Sequence, residues 1–170
     1  EQIAASFDAC FKTVVKEVGV ELFFKKFNSM GGIVEEFLEG EIKVSPSVQC
    51  VIGPDKQIEI ASTHDQLLGG EDGQVFLGAI FPASEEYNVS MAAEGKKIAQ
   101  TLANKGAMGR FAVDFISVKQ TDGNWKHYAI EINLRKGGTT HPYLMLQFLT
   151  DGKYDADKGH FITAGGNKRF

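Results

Sequence analysis

The sequence has little of several features that mark particular classes of protein. It contains two cysteines, Cys10 and Cys50, in a spacing that matches neither a metal site nor a redox pair. This usage favours reduced thiols in a cytoplasmic protein over a disulfide framework. The formal net charge is −4, which provides no basic field for nucleic acid and no polybasic patch for a membrane. No apolar run approaches the length of a membrane span.

The composition is that of an ordinary soluble globular protein. Hydrophobic residues make up 43% and charged residues 24% of the chain, and its 170 residues suit one domain or the larger part of one. Because the sequence starts at Glu1 in the middle of a helical pattern, we expect it to be part of a longer protein.

Hydrophobic periodicity predicts an α+β fold in which an antiparallel β-sheet packs on helices. Helices are predicted over 3–18, 20–30, 90–105 with Ser90 as N-cap, and 142–149. Residues 33–52 are predicted to form two strands, or one strand with a bend at Gly40, and further strands are predicted over 57–61, 74–80, 110–118 and 127–135. A polar loop is expected at 62–73, and a small hairpin over Tyr154 and Phe161. We divide the chain into a helical lead-in at 1–32, a main lobe at 33–150 and a polar tail at 151–170.

The strands at 110–118 and 127–135 are predicted to form a hairpin. Asp122 and Gly123 favour a two-residue type I′ turn, because both central positions of that turn need positive φ. This turn sets the register and places Asp114 opposite Glu131, with two further pairs on the same face: Ala112 opposite Asn133, and Arg110 opposite Arg135. The other face is predicted to be core, with Phe111, Val113 and Phe115 opposite Ile130, Ile132 and Leu134.

The predicted polar face brings like charges together. Two carboxylates directly across a ladder repel, and so do two arginines, so a structural interpretation needs each charge to find its own partner or reach water. A functional interpretation needs a polyanion with its divalent cation, because Asp114, Glu131 and Asn133 offer hard oxygen ligands for magnesium. Arg110 and Arg135 lie one step away, suited to phosphate. We favour the functional interpretation, which a register slip of one residue would remove.

A second feature of the same kind follows the hairpin. Residues 135–142 form a loop rich in hydrogen-bond donors and glycine, just before a helix that Pro142 can start. A helix N-terminus with free N–H groups attracts anions. No G-x-x-x-x-G-K-S/T phosphate-binding loop occurs in the sequence.

Three segments together resemble the C-terminal half of the ATP-grasp superfamily: VEEFLEG at 34–40, GRFAVDF at 109–115 and EINLRKGG at 131–138. More narrowly, SPSVQ at 45–49, STHDQ at 62–66 and NLRKGGTTHP at 133–142 look like the PGM1-type peptide ligases, a group of carboxylate–amine ligases. The resemblance covers most of the chain between residues 31 and 151.

The resemblance implies ATP and Mg²⁺ as cofactors and a role for each matched position. Asp114, Glu131 and Asn133 would coordinate the magnesium ions on the ATP phosphates. Arg135, assisted by Arg110, would contact phosphate or an acyl-phosphate. The adenine segment would be formed by Glu35, Glu36, Phe37 and Leu38, and the ribose hydroxyls would be bound by Glu41. The acceptor substrate would face His64, Gly137, Gly138, Thr139 and His141.

ATP-grasp enzymes hold ATP between two lobes, and the first lobe supplies a phosphate-binding lysine. Lys12 and Lys16 lie in a helical pattern and do not match that lysine. The resemblance therefore implies the second lobe of a longer ligase, with a small carboxylate and an amine or peptide as substrates. Two alternatives stay open: a nucleotide-binding module with a regulatory or assembly role, and a kinase-like transfer without the amine step.

Overall fold

The structure is a computed structural model, which describes residues 10–13, 18–70, 73 and 75–169. The chain divides into two compact units, one formed by residues 1–37 and 69–75 and the other by residues 38–68 and 76–170. The helix predicted over 3–18 lies mostly outside the described residues, and the three-part division of the chain stays a prediction. Within the described part, no helix is long and apolar enough to cross a membrane.

The first unit contains helix α1 (Val20–Met30), where the sequence predicts a helix. Gly31 ends it at a φ of 75°, and the Gly31 N–H donates a hydrogen bond to the Phe27 carbonyl oxygen at 2.8 Å. Glycine suits this position because it adopts positive φ without steric strain. Aromatic rings of this unit contact one another, as between Phe11 and Phe24, whose centroids are 5.2 Å apart.

The second unit is built on a six-stranded sheet. Its strands are β1 (Lys43–Val44), β2 (Pro46–Ile52), β3 (Ile58–Gly69), β4 (Val75–Ile80), β5 (Gly109–Lys119) and β6 (Trp125–Asn133). Strand β5 pairs with β1 and β2 on one side and with β6 on the other, and β3 and β4 continue the sheet beyond β2. The pairs of β5 and the β2–β3 pair are antiparallel, so the predicted α+β class is confirmed.

Two helices and a small sheet complete this unit. They are α2 (Asn88–Asn104), α3 (Thr140–Thr150), β7 (Lys153–Asp155), β8 (His160–Ile162) and β9 (Lys168–Arg169). Tyr154 pairs with Phe161 in the hairpin predicted for the tail. Helix α2 starts two residues before Ser90, so the predicted N-cap is wrong, and the Ser90 hydroxyl donates instead to the Tyr87 carbonyl oxygen at 2.9 Å.

The main core lies between α2 and the central strands. Alternate residues of β2 and β5 face the helix, and they are buried: Val48, Cys50, Ile52, Phe111, Val113 and Phe115. The helix meets them with small side chains at Ala92, Ala99 and Ala103. Gly95 allows the closest approach, because a Cβ atom there would lie 2.8 Å from Val48 Cγ1. The strand that carries Ser47 and Gln49 on its opposite face is thereby held against α2.

The strand predicted over 33–42 does not form. Pairing starts at Lys43, opposite Val118, and the last ladder bond runs from the Lys119 N–H to the Ile42 carbonyl oxygen at 3.0 Å. Just before this point Gly40 lies so close to Val118 that a Cβ atom would overlap the valine side chain. Residues 33–40 adopt no regular strand, so their alternating pattern does not correspond to a ladder.

The polar loop predicted at 62–73 is also wrong over most of its length, because residues 62–69 continue β3. Two of their polar side chains, those of Thr63 and Asp65, form hydrogen bonds with tyrosine hydroxyls. The Thr63 hydroxyl donates to Tyr154 Oη at 2.8 Å, and the Asp65 carboxylate accepts from Tyr87 Oη at 2.6 Å. Buried polar groups of this kind are compatible with a strand once they are hydrogen-bonded.

Strand β6 departs from prediction on its apolar side. Phe111, Val113 and Phe115 of β5 are core as expected, but the residues predicted to lie opposite them are not. Their side chains are 40%, 47% and 62% exposed at Ile130, Ile132 and Leu134. Strand β6 has no further strand beside it among the described residues, and α2 packs on β2 and β5. The alternation of apolar and polar residues in the sequence could not show that these apolar side chains are exposed.

The close packing of α2 on β2 predicts the effect of Gly95→Ala. Alanine favours helices by about 1 kcal/mol over glycine at exposed positions, but here the added methyl would meet Val48. Overpacking of this kind costs about 1–3 kcal/mol, so we expect the urea midpoint to fall. In a Val48→Ala background, which frees the space, the same substitution should be neutral or stabilising. An equal loss in both backgrounds would contradict this packing.

Candidate active site

Four polar residues form a row across four neighbouring strands. Ser47 of β2 pairs with His64 of β3 and with Asp114 of β5, and Asp114 pairs with Glu131 of β6. Because residues that are directly paired in a sheet point to the same side, all four side chains lie on one face. The predicted pair of Asp114 and Glu131 is confirmed, as is the pair of Ala112 and Asn133.

This register arises from two features that the sequence did not predict, and they compensate. The Gln120 N–H donates a hydrogen bond to the Asn124 carbonyl oxygen at 2.7 Å, and three residues lie between these two. The hairpin tip is therefore not a two-residue turn. Gly123 takes a φ of 86° at the tip. Further along, Phe115 pairs with Ala129 while Asp114 pairs with Glu131, which leaves Ile130 as a bulge. The longer tip shifts the pairing by one residue, and the bulge at Ile130 shifts it back, so Asp114 still pairs with Glu131 as predicted.

The predicted pair of Arg110 and Arg135 does not form. Arg110 lies opposite Val51, and β6 ends at Asn133. The chain turns there, with the Arg135 N–H bonded to the Asn133 carbonyl oxygen at 2.7 Å. The two arginines therefore separate, and only Arg135 follows the chain toward the acidic pair.

A cavity of about 300 Å³ lies over this face of the sheet. Its lining combines the row with the loop after β6: Ser47, His64, Gln66, Phe76, Ala112, Asp114, Glu131, Asn133, Arg135, Gly137, Gly138 and Thr139. The three predicted metal ligands, Asp114, Glu131 and Asn133, thus open into one space. His141 is exposed on the first turn of α3 and is not part of this lining.

The electrostatics of Asp114 reflect its crowded position. Burial raises the pKa of its carboxyl, a hydrogen bond with Ser47 lowers it, and the charge of Glu131 raises it again. Arg135 opposes the increase, and Asn133 Nδ2 donates to Asp114 Oδ2 at 3.1 Å. The net shift of this pKa is upward, as expected for two carboxylates that share a site with too little positive charge.

These residues fit a hard cation such as Mg²⁺. Two carboxylates and one amide oxygen are the oxygen ligands that magnesium takes from proteins, usually together with substrate phosphates. The described residues contain no group of three or more His, Cys, Asp or Glu side chains placed to hold a metal, and the role of Asn133 as a third ligand stays a prediction. A cation would also relieve the repulsion from Glu131, which adds to the burial that raises the pKa of Asp114.

The loop after β6 is held by Gln49, which the sequence analysis did not single out. Its side chain is 1% exposed, and its Nε2 donates to Thr139 Oγ1 at 3.3 Å. Its Oε1 accepts from Arg110 Nη1 at 3.2 Å and from the Thr140 hydroxyl at 3.5 Å. The Thr140 hydroxyl oxygen in turn accepts from the Gly137 N–H at 3.1 Å. Gln49 therefore links β5 to the loop that closes the cavity.

Arg110 lies behind this loop and does not line the cavity. Its guanidinium donates to the neutral amide of Gln49, and Gln49 in turn donates to Thr139. Arg110 is therefore connected to the cavity lining through these two residues. From the sequence, Gln49 could have been noticed only by its position in a predicted strand. Its pairing with Ala112, two residues from Arg110, is visible only in the structure.

His64 is a buried residue of the cavity lining. It is 2% exposed, and its ring packs on Phe81 with centroids 5.1 Å apart. Burial lowers the pKa of the imidazole from an ordinary 6.5 to about 4, so the ring is neutral at pH 7. Its Nδ1 is buried without a hydrogen-bond partner.

Comparison with known proteins places this site in a family. The profile described as "IQCH-like, ATP-grasp" matches residues 13–157 of the chain. The chain belongs to the ATP-grasp family. The resemblance found in the sequence is thereby confirmed.

Two relatives extend this result. L-propargylglycine–L-glutamate ligase of Streptantibioticus cattleyicolor is 36% identical over 137 residues, which are 81% of this chain and 27% of that protein. N5-carboxyaminoimidazole synthetase of Staphylococcus aureus, solved with ADP, matches with a TM-score of 0.50 and 17% identity over 74% of this chain and 30% of its own. The second likeness shows the ATP-grasp fold alone. The chain spans less than a third of the length of either relative.

The predicted nucleotide-base segment of this ATP-grasp chain is not part of the cavity. Glu35, Glu36 and Phe37 belong to the first unit. In the second unit, the Leu38 carbonyl oxygen accepts from Lys43 Nζ at 3.0 Å, and Glu41 lines a separate cavity of about 610 Å³ at the end of the β5–β6 hairpin. Roles in adenine and ribose binding stay predictions for these five residues.

The buried His64 predicts how stability depends on pH. Below pH 6.5 the unfolded chain takes up a proton on this residue, whereas the folded chain does so only near pH 4, so stability is lost as the pH falls through this window. At about 1.4 kcal/mol per pKa unit, the loss amounts to about 3 kcal/mol. In urea unfolding between pH 7 and pH 4, His64→Gln should lose about that much less than the parent. Parallel curves for the two proteins would show that this histidine is not held neutral.

Proposed function

We propose that this chain is the Mg-ATP-binding C-terminal part of an ATP-dependent carboxylate–amine ligase of the peptide-ligase type, acting through an acyl-phosphate. The observation that carries the proposal is the pair of Asp114 and Glu131 side by side in one cavity with Asn133 and Arg135. Repelling carboxylates are tolerable where a cation and a polyanion complete the site. The relative from Streptantibioticus is named as a ligase of two amino acids, which supports the reaction class.

Each side chain has a specific part in this proposal. Asp114, Glu131 and Asn133 hold magnesium, which when bound neutralises the phosphate charge and orients the γ-phosphate. Arg135 donates hydrogen bonds to phosphate oxygens, because it enters the cavity beside the acidic pair. Arg110 acts indirectly by holding Gln49 and the loop at 137–139. Gly137 and Gly138 present backbone to the substrates, as glycine allows close approach.

The reaction proceeds in two steps. A carboxylate oxygen of the acid attacks the γ-phosphorus, ADP leaves, and an acyl-phosphate forms. The nitrogen of an amine then attacks the acyl carbon, and phosphate leaves with the electron pair of the broken C–O bond. Phosphoryl transfer depends on positioning and charge neutralisation more than on covalent help from the protein. A site of carboxylates, an amide and an arginine meets this need without a nucleophile.

We further propose that a preceding ATP-grasp lobe supplies the phosphate-binding lysine. The chain matches 27% of the ligase relative, which leaves room for such a lobe in a protein of that kind. ATP would then lie between the two lobes, with its phosphates at the acidic pair.

Substitution of one metal ligand tests the site. Glu131→Gln keeps the shape of the side chain but removes one negative charge and replaces one acceptor oxygen by an amide donor, so we expect magnesium-dependent nucleotide affinity to fall by at least roughly 10- to 100-fold, the loss typical even for residues that only support a metal ligand. Calorimetric titration of the full-length protein with ATP, with and without Mg²⁺, measures the change. The matched control is Glu94→Gln, which removes a carboxylate paired with Lys97 on the surface of α2. Equal affinities for Glu131→Gln and Glu94→Gln would contradict the assigned site.

An activity screen distinguishes the ligase from its alternatives. The full-length protein is incubated with ATP, Mg²⁺ and each L-amino acid as the acid, with and without a second amino acid as the amine, and ADP is measured. We expect ADP release that needs both acid and amine, together with a new amide detected by mass spectrometry. Acid-dependent release without an amide would indicate a kinase-like transfer. Nucleotide binding without release would indicate a binding module.

A further inference from the structure

The buried side-chain amide of Gln49 has one orientation that its neighbours allow. An arginine side chain offers only hydrogen-bond donors, so the atom that faces Arg110 Nη1 at 3.2 Å is the amide oxygen of Gln49. The Thr140 hydroxyl donates to the same oxygen at 3.5 Å, while its own oxygen accepts from the Gly137 N–H at 3.1 Å. A reversed amide would bring donors against donors at both places. The NH₂ group of Gln49 is therefore turned toward Thr139.

This orientation decides what the hydroxyl group of Thr139 can do. Its oxygen accepts from Gln49 Nε2 at 3.3 Å, so its own hydrogen points away from Gln49. Within the described part of the chain, no group accepts that hydrogen. Thr139 is 8% exposed and lines the cavity, whereas Thr140 is 2% exposed and does not. The Thr139 hydroxyl is thus a donor that a molecule in the cavity can use.

The positive charge of Arg110 strengthens this donor. Arg110 donates to Gln49 and Gln49 donates to Thr139, so the donors of the chain all point from the guanidinium toward the cavity. Hydrogen bonds in such a chain polarise one another, and a cation at its start makes the last donor stronger. A strong donor suits an oxygen that carries negative charge. Arg135 lines the same cavity, so an anionic group there meets donors from both ends of one loop.

We propose that Gln49 is a positioning residue that makes the Thr139 hydroxyl a hydrogen-bond donor to an anionic oxygen in the cavity. This inference rests on the proposed ligase function and deepens it. In that reaction two groups carry such an oxygen, the phosphate of ATP and the carboxylate of the acid. Both offer the same chemistry to Thr139, and the test distinguishes them. Gln49 does not itself line the cavity, so it acts through Thr139.

Gln49→Glu separates this role from simple support of the loop. The new carboxylate still accepts from Arg110 and from Thr140, so the loop stays attached. It has no hydrogen to donate, so it accepts from the Thr139 hydroxyl instead. The hydrogen of Thr139 then turns away from the cavity, although every side chain of the chain of hydrogen bonds remains in place.

Further variants test the same donor from other sides. Thr139→Val removes the hydroxyl without changing Gln49, and Thr139→Ser supplies a hydroxyl again and should recover most of the loss. Arg110→Met leaves the amide of Gln49 free to reverse, so it should lower the same quantity as Gln49→Glu. The matched control is Gln100→Glu on the surface of α2, where the Gln100 amide is bonded to Asn104, and it should keep parental values.

Two measurements are made on the full-length protein at pH 8, where a carboxylate beside Arg110 is ionised. Calorimetry gives the affinity for Mg-ATP, and ADP release at saturating amine gives the KM of the most active acid in the screen above. We expect Gln49→Glu and Thr139→Val each to lose about 10- to 100-fold in one of these quantities, the range for a lost hydrogen bond to a charged group. Weaker Mg-ATP binding assigns a phosphate oxygen, and a raised KM at unchanged Mg-ATP affinity assigns the carboxylate.

The double variant supplies the decisive comparison. Because both substitutions remove the same donor, Gln49→Glu combined with Thr139→Val should lose no more than either alone. Additive losses, parental values for Gln49→Glu, or a loss in Gln49→Glu without one in Thr139→Val would each overturn the inference. Urea unfolding at pH 8 checks that each variant is folded. A parent protein that binds no Mg-ATP and releases no ADP is a different outcome, because it removes the ligase proposal itself.

Discussion

The repulsion between Asp114 and Glu131 is the constraint on which the arrangement of this site depends. Two carboxylates opposite each other on a ladder are unfavourable, and the charge of Glu131 adds to the burial that raises the pKa of Asp114. The chain nevertheless fixes them there, with a bulge at Ile130 that brings Glu131 into register. Asn133 and Arg135 are the groups that soften this repulsion from within the chain. In the function we propose, the remaining negative charge attracts a cation.

Strand β2, which pairs with the strand that carries Asp114, is held by contacts on both of its faces. On one side Val48 packs against Gly95 of α2, which fixes the strand. On the other side Gln49 binds the start of α3, which fixes the loop over the cavity. Neighbouring residues of one strand therefore serve the core and the site, and Ser47 between His64 and Asp114 completes the row. The position of the cavity follows from this shared strand.

Part of this arrangement could be predicted from the sequence, and the failures have physical causes. The pairing of Asp114 with Glu131 was predicted from an incorrect turn, and it survived because the bulge restored the missing residue. Residues 62–69 looked like a loop because their sequence is polar, whereas in the structure they continue a strand in which Thr63 and Asp65 are hydrogen-bonded to tyrosine hydroxyls. Gln49 was missed because its partners come from residues 90 or more positions away along the chain, at Thr139 and Thr140.

The unpartnered atoms of β3 have a consequence for mutational drift. Leaving Ser62 Oγ and His64 Nδ1 without hydrogen bonds lowers the stability of the unliganded chain, as does the acidic pair. Apolar replacements in this row would therefore tend to make the protein more robust while erasing its chemistry. Descendants released from selection on activity should lose these polar residues early and keep Val48 and Gly95, and this order of loss would distinguish an abandoned ATP-grasp site from one still in use.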